Sequence, residues 1–144
     1  MSSVTNSPSP SLPTPRGAVA GKRILVAIDD LFFLARIQET ARQLGVGVEF
    51  AKTDVDILAK VGTGDAPALI IFDLNSASSK PLTTIAKLRA NPALKKTSVV
   101  GYVSHVQGEL KLKAQEAGCS VVMPRSAFSQ TLAQLLRRHG LPEE

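Results

Sequence analysis

Apolar and polar residues alternate along this chain in two different rhythms. Short unbroken apolar runs are separated by longer stretches with a three- and four-residue repeat. The densest run is Ala68-Leu69-Ile70-Ile71-Phe72, which leads into Asp73, Leu74 and Asn75. It is bounded by Pro67 on one side and by serines at 76, 78 and 79 on the other. Such a run predicts a strand buried on both faces. A charge is not tolerated in the middle of such a strand, which puts Asp73 at its carboxyl end, where a crevice opens.

The same reading extends to the whole chain. A first strand is expected over 23–28, closed by Asp29 and Asp30. A helix follows over 31–44, with Phe33, Ile37, Ala41 and Leu44 on one face and Gly45 as its stop. A short strand is expected over 47–52. A second helix begins at Thr53 and carries Val55, Leu58 and Val61 inward. After the strand that ends at Asp73, a third helix opens at Pro81 and buries Leu82, Ile85 and Leu88. Residues 91–97 read as loop, 98–104 as a fourth strand and 109–117 as a fourth helix ended by Gly118. A fifth strand covers 120–123. Ser126 is expected to cap a last helix, with Phe128, Leu132, Leu135 and Leu136 inward and Gly140 at its end. Strand and helix thus alternate five times, the pattern of an α/β domain with a parallel sheet covered on both faces.

Residues 1–21 contain four prolines among serine and threonine and have little to bury, so a disordered tail is expected there. The domain is expected over 22–140, followed by a short tail at 141–144. The first residues have neither the basic cluster nor the apolar core of a secretory signal. No apolar run is long enough to span a bilayer, so a membrane is not an expected partner. A single cysteine, Cys119, rules out an internal disulfide and suits a cytoplasmic, reducing setting. It reads as buried filler beside Gly118. The formal charge is +5, but the basic residues are scattered and no aromatic-studded basic patch stands out, so nucleic acid is not an expected partner. His105 and His139 lack metal-ligand spacing and read as surface residues.

The chemistry lies at the strand ends. Adjacent first and third strands bring Asp29 and Asp30 beside Asp73. Three carboxylates in one crevice repel one another unless a divalent cation or a basic group relieves them. Oxygen-only ligands favour Mg²⁺, and a carboxylate beside it is a nucleophile toward a phosphoryl group. Ser104, ending the fourth strand, offers a hydroxyl, and Arg125, just after the fifth, offers a cation. Each residue also has a plainer reading. Asp29 and Asp30 suit a helix cap, Asp73 and Ser104 suit turns, and Arg125 can pair with any exposed acid.

Taken together, these residues resemble the receiver domain of bacterial two-component response regulators over about 22–140. The resemblance rests on the strands ending in Asp29-Asp30, in Asp73 with Asn75 two on, and in Ser104, and on the (βα)₅ order. It implies a doubly wound, flavodoxin-like five-stranded parallel sheet in the order 2-1-3-4-5. It also implies a Mg²⁺ site made by Asp29, Asp30, Asp73 and the main-chain carbonyl of Asn75, a phosphoacceptor at Asp73 and a switch hydroxyl at Ser104. Three features depart from the family. The family lysine falls on Arg125 by counting from Gly118, or on Met123 by anchoring on Pro124. The aromatic switch position falls on Val122. The loop after Asp73 lacks the usual Met-Pro and Asp-Gly.

The expected function is a stand-alone signalling protein rather than an enzyme. It would take a phosphoryl group from a histidine kinase or phosphotransfer protein and act on a downstream protein partner, through the surface of helix 4, strand 5 and helix 5. The alternative is a degenerate receiver that binds its partner without phosphorylation. A flavodoxin-like ligand domain lacks its glycine-rich phosphate loop after the first strand. A phosphatase would place its nucleophile on the first strand and need more acid–base groups. A nucleic-acid adaptor rests on net charge alone.

Overall fold

The structure, a computed structural model, describes residues 23–104 and 108–141. The expected tail over 1–21, together with Lys22, His105 and residues 142–144, lies outside the described residues. The elements run β1 (Ile24–Ala27), α1 (Leu31–Leu44), β2 (Glu49–Phe50), α2 (Asp54–Val61), β3 (Leu69–Asp73), α3 (Pro81–Arg89), β4 (Ser98–Val103), α4 (Gly108–Ala117), β5 (Val121–Pro124) and α5 (Arg125–Gly140). The sheet order is β2-β1-β3-β4-β5, with every pairing parallel. The doubly wound α/β sheet expected from the sequence is therefore present.

The unbroken apolar runs have a direct structural cause. Alternate side chains of a strand point to opposite faces, and here each face has its own core. Leu25, Ala27, Ile70, Phe72 and Val99 pack toward Ile57, Ile85, Leu88 and Ala114 of α2, α3 and α4. Ile24, Val26, Leu69, Ile71, Val100 and Tyr102 pack toward Phe33, Ile37, Phe128, Leu132 and Leu136 of α1 and α5. Three rings lock the second core near the strand ends. Tyr102 stacks on Phe128 at 4.8 Å between centroids, and Phe33 meets both rings edge-on at 5.2 and 5.4 Å.

Helix α1 spans the expected residues and ends at Gly45, whose φ of 74° requires the left-handed region that glycine enters freely. Thr53 caps α2 by accepting from the Asp56 N–H. The inward face of α2 differs from the expected one. Ile57 and Val61, four apart, are buried together, while Val55 is 72% exposed. Val55 precedes Ile57 by two positions and so lies on nearly the opposite side of the helix. Residues 91–97 contain one 3₁₀ turn, Pro92–Leu94, capped by the Asn91 side chain. Ser126 does not cap α5. Pro124 ends β5 and serves as the N-cap, and the helix begins at Arg125 without an intervening loop. His139 is half-buried rather than on the open surface, with Nδ1 3.0 Å from the Leu135 carbonyl oxygen and Nε2 3.3 Å from Ser98 Oγ.

Candidate functional site: the acidic crevice at the ends of β1, β3 and β4

Register and alternation assemble the site. Ala27 pairs with Phe72, and Asp73 pairs with Tyr102. Asp29 and Asp30 leave the end of β1 beside Asp73, and Ser104 follows β4. Asp73 continues the parity of Leu69 and Ile71, so its side chain is on the α1/α5 face, as is that of Tyr102.

Each carboxylate is already engaged. Asp30 Oδ1 accepts from the backbone N–H groups of Phe32 and Phe33, at 3.0 and 3.3 Å, and so caps α1. Its other oxygen, Oδ2, accepts from Arg125 Nη2 at 2.5 Å. Asp29 Oδ2 accepts from Ser78 Oγ at 3.0 Å and Ser76 Oγ at 3.4 Å. Asp73 Oδ1 accepts from the Asn75 N–H at 2.9 Å. Burial pushes the Asp73 carboxyl above its usual range. The Asn75 N–H opposes that shift, the charges of Asp29 and Asp30 reinforce it, and Arg125 opposes it.

The strand ends and the start of α5 make the following contacts. Asn75 contributes its side chain: Oδ1 accepts from the Ser104 N–H at 2.8 Å and ties the end of β4 to the loop after β3. Ser104 itself is exposed. Arg125 is the cation at the crevice, with its guanidinium carbon 4.7 Å from the centroid of the Phe33 ring. Met123 instead packs against the α1/α5 core, with its sulfur 3.6 Å from Thr131 Oγ1. Val122 is buried on the opposite face.

Several residues of the site were not singled out from sequence. Ser76 and Ser78 were read only as the boundary of a strand, yet they hold Asp29. Phe33 was read as a core residue of α1, yet its ring also seats Arg125. Tyr102 was not singled out, yet it stands opposite Asp73 in the β3–β4 register, and the available signal was its even spacing from Ser98 and Val100 along β4. Its hydroxyl is buried without a hydrogen-bond partner among the described residues. Burial, then Asp73 and Asp30, push its pKa well above the usual phenol value.

The resemblance implies a divalent ion, and the side chains as they stand do not fit one. Among the described residues, no group of three or more His, Cys, Asp or Glu side chains is arranged to hold a metal ion. In the same crevice both oxygens of Asp30 and one each of Asp29 and Asp73 accept hydrogen bonds from protein donors.

Two other features lie apart from this chemistry. A cleft of about 710 Å³ lies at the opposite end of the sheet, lined by Pro67, Pro92, Lys95 and Thr97 among others. Cys119 is buried as expected, its Sγ 3.4 Å from the Val99 carbonyl oxygen, and burial pushes its thiol up to about 11.

No protein-family model matches the sequence, and no curated protein matches it either. Solved structures do. The chain is similar to the phosphorylated cyanobacterial phytochrome response regulator RcpA, at 20% identity and a TM-score of 0.69, over 83% of this chain and 91% of that one. It is similar to the chemotaxis response regulator CheY4 of Vibrio cholerae, at 21% identity and a TM-score of 0.70, over 81% of this chain and 96% of that one. It is also similar to a response regulator in its Mn²⁺-bound form, at 18% identity and a TM-score of 0.64, over 81% and 89% of the two chains. With the sheet order, the paired acids at β1 and the aspartate that ends β3, these likenesses establish that the chain has the receiver fold of the response regulators.

Proposed function

We propose that the chain is a signalling receiver that takes a phosphoryl group from a histidine kinase or phosphotransfer protein onto Asp73 and acts by protein–protein contact. The observation that carries this reading is the placement of Asp73. Its carboxylate ends β3, is half-buried between the acids of β1 and the end of β4, and is oriented by the Asn75 N–H. In the reaction, an Asp73 oxygen bonds to phosphorus as the donor's phosphorus–nitrogen bond breaks, and the histidine leaves with the electron pair. Arg125 supplies the positive charge beside the incoming phosphoryl oxygens. Exposed apolar residues support a protein partner on two sides. Leu31 and Phe32, which directly follow Asp30, are 79% and 71% exposed, and Leu112 of α4 and Val121 of β5 are exposed as well. A cytoplasmic setting suits the free Cys119 thiol, and no helix among the described residues is long and apolar enough to cross a membrane.

A second reading, a receiver that binds its partner without phosphorylation, is favoured by one observation: Asp30 is already closed by Arg125. Incubation with a small-molecule phosphodonor, with Mg²⁺ or with chelator, separates the two by intact mass. Gain of one phosphoryl group by the wild type but not by Asp73→Asn supports the first reading. No gain in either buffer leaves the second.

A further inference from the structure

We infer that the Arg125 guanidinium is the resident cation of this crevice and takes the place of a divalent ion at Asp30. Carboxylates at neighbouring strand ends need a positive charge nearby, and the structure supplies one from within the chain. Asp30 bonds Arg125 through Oδ2 while Oδ1 caps α1. A metal ion at this carboxylate would compete with both the cap and the ion pair.

The guanidinium is also held from a second direction. It lies over the Phe33 ring, and Phe33 is itself fixed edge-on by Tyr102 and Phe128. Both holds begin at one place, because Asp30 accepts from the Phe33 N–H. A planar guanidinium can stack on a ring and bond a carboxylate in its own plane at the same time, which a compact ammonium cannot. That accounts for arginine rather than lysine at position 125. Asp29 accepts from Ser76 and Ser78 through Oδ2. Arg125 has no intervening loop to swing on, since it is the first residue of α5 directly after Pro124. The inference goes beyond the proposed function: Arg125 plays this part whether or not Asp73 accepts phosphate.

The test is a Mn²⁺ titration, followed by the electron paramagnetic resonance of free Mn²⁺, on wild type, Arg125→Lys and Arg125→Gln. Melting is measured alongside in chelator and in Mn²⁺. Wild type is expected to bind Mn²⁺ at least about tenfold more weakly than Arg125→Gln, and to melt at the same temperature in both buffers. Arg125→Gln is expected to melt lower in chelator and to recover with Mn²⁺. Arg125→Lys, which keeps the charge but loses the stacked geometry, is expected to melt below wild type in chelator. Equal Mn²⁺ affinity in wild type and Arg125→Gln overturns the inference. If Arg125→Gln does not fold, wild type decides alone: saturable Mn²⁺ binding that raises its melting temperature overturns the inference, and no such binding upholds it. The phosphodonor experiment reads Asp73 separately, so failure of the proposed function is distinguishable from failure of this one.

Discussion

Asp73 and Tyr102 stand opposite each other across the β3–β4 register, both on the face covered by α1 and α5, and the tyrosine hydroxyl has no hydrogen-bond partner among the described residues. Its ring is well used, stacked on Phe128 and met by Phe33. A buried hydroxyl without a partner costs about 1–3 kcal/mol. Tyr102→Phe keeps the ring contacts and removes that cost. Urea unfolding is expected to show a gain of about 1 kcal/mol. A loss of that size would mean that the hydroxyl has a partner in solution.

Asp73→Asn is expected to stabilise the protein at neutral pH. The Asp73 carboxyl titrates above its ordinary value in the folded state, chiefly through burial. Its ionisation therefore opposes folding. Below the unfolded-state value both states are protonated and the penalty is absent. It appears as pH rises through the carboxylate range and is complete above the folded-state value. Asparagine retains an oxygen to accept from the Asn75 N–H. Unfolding from pH 3 to pH 7 should show the variant's advantage growing with pH, and an advantage that is constant or shrinks contradicts this.

Gly101→Ala is expected to disturb the loop after Asp73. A Cβ at Gly101 would stand 2.7 Å from Leu74 Cδ1 and 2.8 Å from its Cγ. Leu74 is buried against this glycine and leads into Asn75 and the serines that hold Asp29. Overpacking of this kind costs about 1–3 kcal/mol. The check is denaturant unfolding combined with amide exchange at Asn75 and Ser76, which should quicken in the variant.

Arg89→Ala is expected to destabilise by about 1–3 kcal/mol, since hydrogen bonds from a charged group are the stronger kind. The guanidinium donates to the Gly118 carbonyl at 2.8 Å, the Leu94 carbonyl at 3.0 Å and Ser120 Oγ at 3.0 Å. It thereby joins α3, the 3₁₀ turn and the start of β5. Arg89→Lys should recover only part of the loss, because a single ammonium cannot span the three acceptors. Full recovery would show that charge alone matters.

The sheet was legible because its strands are buried on both faces and their apolar runs are unbroken, as Ile70, Ile71 and Phe72 illustrate. The positions of Asp29, Asp30 and Asp73 followed from where those runs stop. What the sequence concealed was direction. Nothing in the string Asp29-Asp30 says that one side chain turns to two serines and the other to an arginine on the last helix. Such choices depend on residues far along the chain. The inward face of α2 was missed for a related reason: over eight residues, Val55 and Ile57 offer equally apolar candidates, and only the neighbouring sheet selects Ile57.

The bond between Asp30 and Arg125 joins residues 95 positions apart. Closing so long a loop is entropically costly until intervening segments have paired, so this contact belongs to the late side of the folding barrier. Interactions formed after the barrier govern how fast the native state is lost and leave its rate of formation almost untouched. Arg125→Gln should therefore steepen the loss of native protein in unfolding experiments while refolding proceeds at nearly the wild-type rate. One carboxylate thus links the start of the first helix to the start of the last and contributes to how long the folded molecule persists.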